Sequence, residues 1–388
     1  MADAPTVRLT MLEPDVAALT LDAPDKGANV LSQSVLAEIE KHLNDLASRR
    51  DLAGLVIRSA KPGIFIAGAD LREFAAAKNP TRDETIAVAT RGRKLFERLS
   101  KLPFVTVAAI DGVCVGGGAE LAIWCDRRIM TTSPKAQFGF PEVKLGLFPG
   151  WGGTVRAPRI AGLGNAVELI SSGESIDGRA AVQMGLASDL VPSERLDAAA
   201  MTMVRAEAKT KEYLADRDRW RQPLDIDETE LGFLGATASA YIQGQTKGHY
   251  PAPLAALEVL LGSAGLDADA AGEAEAEAFA GLFGTPVNRA LINVFFLTDR
   301  NKKDTGVAAD VKPREIQAVG VFGAGIMGSG ISAAVVKREL PVTITDAAGQ
   351  ALAAGVQKIL EEVSYNKQTK GSDPGRMLKF APLVNATT

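Results

Sequence analysis

Histidine and cysteine are nearly missing from this sequence: two of each in 388 residues, His42, His249, Cys114 and Cys125. Two thiols cannot supply a disulfide framework or a thiolate metal cage, and they favour a reducing, cytoplasmic compartment. No HExxH segment is present, so no metal site is expected. Any chemistry that needs histidine must use His42 or His249, since none follows residue 249. Both read as structural, with His42 exposed on a helix beside Lys41. No apolar run approaches the ~18 residues needed to span a bilayer, and the N-terminus lacks the pattern of a signal peptide. With 43 basic and 47 acidic side chains the net charge is −4, which offers no general attraction to nucleic acid or anionic membranes.

What is present is ordinary globular material, 46% hydrophobic and 23% charged, long enough for two domains and part of a third. Residues 6–21 alternate as an opening hairpin turning at Glu13-Pro14-Asp15. Ser32 to Arg49 has helical periodicity, with Val35, Leu36, Ile39, Leu43 and Leu46 on one face and Ser32 or Ser34 as cap. Leu55-Val56-Ile57 reads as a buried strand, 63–69 as an apolar loop and 83–100 as a second amphipathic helix. Phe104 to Ile110 is β-branched, and a helix follows from Gly116 through Cys125. This alternation continues to about residue 195 and indicates an α/β fold. From about 197 the chain is Ala-rich and helical without a convincing strand. Its acidic Asp267–Glu277 stretch reads as a solvated helix face or loop. Asp310-Val311-Lys312-Pro313 reads as a linker, after which Ala318 to Phe322 begins a new strand.

Three segments of the first part carry chemistry together. Phe65-Ile66-Ala67-Gly68-Ala69-Asp70-Leu71 is a small-residue loop. Asp111 to Leu121 contains the triplet Gly116-Gly117-Gly118 followed by Glu120. Phe138 to Gly146 contains Glu142, and Phe148-Pro149-Gly150-Trp151-Gly152-Gly153-Thr154 follows. A Gly triplet at a helix start leaves N–H groups unpaired, lets a ligand approach the backbone and adds the positive end of the helix dipole. With a second N–H from Ala67–Ala69 this makes a two-donor oxyanion hole. Two carboxylates facing one small cavity repel, so one should carry a proton and form an acid/base pair with the other. Taken singly, the triplet also reads as a plain turn, Glu120 as a dipole-complementing cap and Trp151 as pocket wall or core.

In this order and spacing the three segments resemble the crotonase (enoyl-CoA hydratase/isomerase) superfamily over roughly residues 6–195. The resemblance implies a spiral of ββα units, an oxyanion hole made by the N–H groups of Ala69 and Gly117, and catalytic carboxylates at Glu120 and Glu142. It also implies substrate or CoA contacts at Ala67, Gly68, Asp70, Leu71 and Gly116. The implied reaction is addition of water to a trans-2-enoyl-CoA: Glu120 helps activate water for attack at C3, Glu142 delivers a proton to C2, and no cofactor is needed. Isomerisation of a 3-enoyl-CoA on the same site and a non-catalytic CoA-binding assembly module stay open as alternatives. Lys61 is a weak candidate for the CoA phosphates, against plain surface solvation.

The second motif, Gly323-Ala324-Gly325-Ile326-Met327-Gly328, fits G-x-G-x-x-G. It follows an apolar strand and precedes a helix-like run from Ile331, and a second strand ends in Asp346, 18 residues after Gly328. That context is a dinucleotide half-site: pyrophosphate over Gly323, Gly325, Met327 and Gly328, ribose hydroxyls on Asp346, and NAD favoured over NADP. This part resembles the start of 3-hydroxyacyl-CoA dehydrogenases. The whole chain resembles the N-terminal half of multifunctional fatty-acid oxidation complex α-subunits. The resemblance implies an acyl-CoA thioester substrate, NAD for the dehydrogenase part, a thiolase subunit or a second copy as partner, and a substrate contact at Asp299. The expected layout is a hydratase domain over 1–196, a helical linker region over 197–312 and an incomplete Rossmann domain over 313–388. The dehydrogenase's His–Glu pair would lie further downstream than Thr388, and strands 4–6 of the sheet would be missing, leaving one edge of strand 318–322 open. Hydration without dehydrogenase turnover, and at best weak NAD binding, is therefore the expectation for a truncated chain.

Overall fold

The computed structural model describes residues 5–24, 26–77, 80–307, 311–312, 314–366 and 371–388. They form two compact units, 1–302 and 303–388. The expected linker at Asp310-Val311-Lys312-Pro313 falls partly outside the described residues, at Asp310 and Pro313.

The first unit opens with the hairpin β1 (Val7–Glu13) and β2 (Val16–Leu21), joined through Pro14-Asp15. Helix α1 (Gln33–Ala47) is capped by Ser32, whose side chain accepts from Val35 N, and it buries Val35, Ile39, Leu43 and Leu46. Next come β3 (Gly54–Ser59) and β4 (Ile64–Ile66); the latter is a strand where a loop was expected. It forms because Ile64 and Ile66 pair with β6 (Val113–Val115). Helices α2 (Leu71–Ala76) and α3 (Arg82–Glu97) follow, and the last turn expected of α3 tightens to 3₁₀ over Arg98–Lys101.

Strand β5 (Val105–Ile110), β6 and α4 (Gly117–Trp124) make one ββα turn. Strands β7 (Arg127–Thr131) and β8 (Gln137–Gly139) with α5 (Gly153–Ala161) and α6 (Leu163–Ser172) make the next. Strand β9 (Ser175–Asp177), α7 (Gly178–Gln183) and β10 (Asp189–Val191) complete it. From β3 to β8 successive strands go alternately to a six-stranded sheet, β1-β2-β3-β5-β7-β10, and a four-stranded sheet, β4-β6-β8-β9. This is the expected spiral. Strands β2 and β5 are buried along their whole length because the large sheet is covered on both faces, as parallel sheets require. Leu55, Ile57 and Ala108 face one apolar cluster; Val56, Val105 and Val107 face another, completed by α8 (Leu196–Thr210) through Ala200 and Val204. Gly54 lets α8 lie this close: a Cβ there would sit 2.6 Å from Val204 Cγ1.

The stretch expected as a separate linker region from 197 onward packs into this unit as far as Lys302. It contains α8, α9 (Glu212–Arg219), α10 (Glu228–Thr246), α11 (Pro251–Gly262), α12 (Ala268–Ala280) and α13 (Pro286–Lys303). On α9, Arg217 reaches fully buried Asp126 at 2.6 Å. The acidic Asp267–Glu277 stretch is not simply solvated. Asp267 caps α12, and the helix buries Ala271, Gly272, Glu275 and Ala276 on one stripe. His42 is half-buried rather than exposed, its Nε2 3.2 Å from the carbonyl of Val7.

In the second unit, β11 (Val319–Phe322), α14 (Ile326–Val336), β12 (Val342–Thr345) and α15 (Gly349–Ser364) make a parallel β-α-β turn. The short pair β13 (Tyr365–Asn366) and β14 (Gly371–Ser372), α16 (Pro374–Phe380) and β15 (Val384–Thr387) follow. The sheet order is β11-β12-β15, so β11 is an edge strand among the described residues. Helix α14 starts directly after Gly325, five residues earlier than the run expected from Ile331, because its first turn leaves Ile326 and Met327 exposed and breaks the apolar periodicity. Among the described residues no helix is long and apolar enough to cross a membrane.

Candidate active site

The three segments singled out in the sequence converge on one cavity of about 310 Å³ in the first unit. Ala67, Gly68, Ala69 and Leu71 line it from the β4–α2 loop, Gly116, Gly117 and Glu120 from the start of α4, and Glu142 from the 3₁₀ turn Pro141–Leu145. Each glycine of the triplet has its own task. Gly116 adopts φ 56°, in the left-handed region that favours glycine, and a Cβ there would come within 3.2 Å of Glu142 Oε1. A Cβ on Gly117 would meet the Trp151 ring at 2.7 Å, and one on Gly118 the Ile66 carbonyl at 2.6 Å.

Several backbone donors on both sides of the cavity are spoken for. Ala67 N donates to Asn29 O, Asp70 N to Leu31 O, and Gly116 N to Gly139 O. The N–H groups of Ala69, between Ala67 and Asp70, and of Gly117, next to Gly116, have no protein acceptor among the described residues. Both residues line the cavity, and Gly117 is the first residue of α4, where the helix leaves N–H groups unpaired.

Glu120 is buried in the first turn of α4, yet it does not cap its own helix. Its Oε1 accepts from Trp151 N at 2.6 Å and Gly153 N at 3.0 Å, at the start of α5. Burial holds its carboxyl well above the usual carboxylate range, helped by the negative charges of Glu142 and Glu275, while the two N–H bonds pull the other way. Burial likewise pushes Glu142 up to about 8, and its Oε2 is buried without a hydrogen-bond partner. A polar atom left so is ready to meet a ligand or water. Trp151 is wall to the cavity and stacks edge-on against Phe96 at 5.6 Å.

Two expected contacts, Asp70 and Asp299, and the weaker candidate Lys61 fall elsewhere. Asp70 caps α2 and pairs with Arg72 at 2.6 Å, outside the lining. Asp299 lies on α13 one turn beyond Phe295, which lines the cavity, and is not itself a lining residue. Lys61 lies 3.7 Å from Asp22, also away from the cavity. Cys114 and Cys125 are buried, and burial raises the Cys125 thiol to about 12, so neither is a nucleophile.

Sequence reasoning missed Glu275. It is fully buried on α12, accepts from Gly152 N at 2.7 Å and from Thr154 N at 2.9 Å, and burial raises it to about 7. The available signal was the Ala271-Gly272-Glu275-Ala276 stripe, hidden in an acidic segment whose other charges face water.

In the second unit, Gly323 adopts φ 97°, and a Cβ on Gly328 would lie 1.8 Å from the Gly323 carbonyl oxygen, so α14 can approach the loop only with glycine there. Cβ atoms on Gly323 or Gly325 would meet nothing within 4 Å, and α14 has no side-chain cap, which leaves an open cradle at a helix N-terminus. Asp346 at the end of β12 accepts from Ala324 N and Ala348 N, both hydrogen bonds lowering its pKa, so it braces the loop as an anion. These residues fit a dinucleotide's pyrophosphate and ribose.

Comparison with known proteins matches both units. The profile of the family "Enoyl-CoA hydratase/isomerase" covers residues 12–216, and that of "3-hydroxyacyl-CoA dehydrogenase, NAD binding domain" covers 318–387. A curated relative, the fatty acid oxidation complex subunit alpha of Vibrio campbellii, is 35% identical over 370 residues. That alignment takes in 94% of this chain and 50% of the relative, so the chain spans about half the relative's length. Among solved structures, an enoyl-CoA hydratase/isomerase from Xanthobacter autotrophicus Py2 is 25% identical with a TM-score of 0.53, covering 78% of this chain and 99% of that one. Human mitochondrial delta3-delta2-enoyl-CoA isomerase shares the fold at a TM-score of 0.54 and 22% identity, covering 78% of this chain and 100% of that one.

Proposed function

The chain belongs to the enoyl-CoA hydratase/isomerase family and carries a 3-hydroxyacyl-CoA dehydrogenase NAD-binding domain, and from that premise we propose that its cavity hydrates trans-2-enoyl-CoA to 3-hydroxyacyl-CoA in fatty-acid β-oxidation. The observation that carries this reading is the pair of raised carboxyls, Glu120 and Glu142, in one cavity with the two unspent N–H groups. The thioester oxygen accepts from Ala69 N and Gly117 N, which stabilise the enolate that develops as C3 is attacked. Glu120, held at Oε1 by two N–H groups, takes a proton from the attacking water through Oε2, and the water oxygen bonds to C3. Glu142, kept protonated by burial, gives its proton to C2. The proton gained by Glu120 then returns to Glu142, which restores the pair with one water added. The two act as a coupled unit sharing protons.

NAD supplies hydride acceptance when bound, and the cradle at Gly323, Gly325 and Gly328 with Asp346 would hold it; hydration uses none of these groups. Acyl-CoA thioesters as ligands, a thiolase-containing complex as partner and a cytoplasmic setting complete the proposal. The test follows loss of enone absorbance when crotonyl-CoA is added to the purified chain, then offers a 3-enoyl-CoA. Saturable loss of crotonyl-CoA absorbance is the expected result. CoA binding without turnover of either compound contradicts it, and turnover of the 3-enoyl-CoA alone reassigns the site to isomerisation.

A further inference from the structure

Four successive N–H groups, those of Trp151, Gly152, Gly153 and Thr154, open helix α5 and point at two carboxylates from distant parts of the chain. Glu120 on α4 takes the first and third; Glu275 on α12 takes the second and fourth. The Thr154 hydroxyl adds a further bond to Glu275 Oε2 at 2.6 Å. Both Glu275 oxygens are therefore spent on the turn, whereas only Oε1 of Glu120 is. A helix start binds anions well, but one carboxylate suffices for a cap. The second one, with no solvent contact, fixes the same turn through the N–H groups that Glu120 leaves free.

We propose that Glu275 is a positioning residue for Glu120: by gripping alternate N–H groups of the 151–154 turn, it sets where the Glu120 carboxylate stands in the cavity. The inference rests on the hydration reading. It ties the proposed chemistry to α12, outside residues 12–216 that the hydratase/isomerase profile covers. The charged neighbours are few. Arg93 from α3 faces Glu275 and lowers its pKa, against the larger effect of burial. Arg93 also lies 3.7 Å from Asp269 on α12 itself, and Gly272 makes room for it, since a Cβ there would be 2.4 Å from Arg93 Nε. Glu120 from α4 and Glu142 from the 3₁₀ turn are the remaining carboxylates, and the charge on Glu275 raises both.

Glu275→Gln tests this at near-constant volume, keeping the experiment decisive where Glu275→Ala fails to fold. The amide retains one acceptor oxygen and presents NH₂ where the other accepted, so the turn loosens. A misplacement of about 1 Å costs on the order of 10²-fold, so kcat for crotonyl-CoA should fall by about that factor with KM little changed. Loss of the negative charge should also move the alkaline limb of the kcat profile to lower pH. In a Glu120→Gln background the same change should cost nothing further, because both act through one group. Independently of activity, amide exchange should quicken at Trp151 and Gly153 as well as at Gly152 and Thr154. Unchanged kcat, an additive loss in the double variant, or exchange altered only at Gly152 and Thr154 would overturn the positioning role. A parent chain inactive on crotonyl-CoA would instead overturn the hydration reading, and the exchange data would then decide whether Glu275 holds Glu120.

Discussion

At the scale of single residues, the cavity is defined by groups left unpaired. Glu142 Oε2 has no hydrogen-bond partner, and the Ala69 and Gly117 N–H groups have no protein acceptor among the described residues. Such features are destabilising in a fold without its ligand, which makes them measurable through stability. A carboxyl whose proton is held to about 8 in the fold but released near 4.5 on unfolding binds more protons when folded across that window. Stability is therefore full below about 4.5 and is lost as pH rises towards 8. Glu275, raised to about 7, adds a loss of the same sign over a narrower range. Glu142→Gln removes the first contribution. Thermal unfolding should thus show the variant melting above the parent at alkaline pH, with the gap closing towards pH 4.5. A gap that is constant with pH would place the Glu142 proton elsewhere.

At the scale of elements, close approach through glycine is the recurring device, and it decides which helices stay where. Gly54→Ala drives a methyl to within 2.6 Å of Val204 Cγ1, a branched side chain with little freedom to move. Overpacking of this kind costs about 1–3 kcal/mol, and Val204→Ala in the same chain should recover much of it. Urea unfolding of the two single variants and the double variant measures both effects, and additive losses would mean that α8 does not bear on the sheet at Gly54. The elements themselves were largely legible because hydrophobic period and caps act locally. Ser32 before α1 and the β-branched run of β5 both formed where the sequence placed them. Strand β4 was not legible, since its three residues become a strand only by pairing with β6, which lies about 50 residues on. Glu275 was hidden for the related reason that its environment is supplied by α5, more than 100 residues earlier. Glu120 and Glu142 were legible from their motifs, but that Glu120 is anchored to the start of a different helix was not.

At the scale of the whole molecule, the two compact units are built on separate cores. Gly328→Ala places a Cβ 1.8 Å from the Gly323 carbonyl oxygen, a backbone atom that cannot yield as a side chain can. Calorimetric titration should show NAD binding weakened, while crotonyl-CoA hydration stays at the parent rate; loss of both together would show that the units depend on each other. The proposed chemistry of the first unit makes its two raised carboxyls one acid/base pair. It is tested most directly by steady-state hydration of crotonyl-CoA by the parent, Glu120→Gln and Glu142→Gln, with binding of a saturated acyl-CoA measured alongside. The expected result is a loss in kcat of at least about 10²-fold in each variant, comparable to removing an oxyanion-hole donor, with acyl-CoA affinity retained. Turnover near the parent rate in either variant would contradict it.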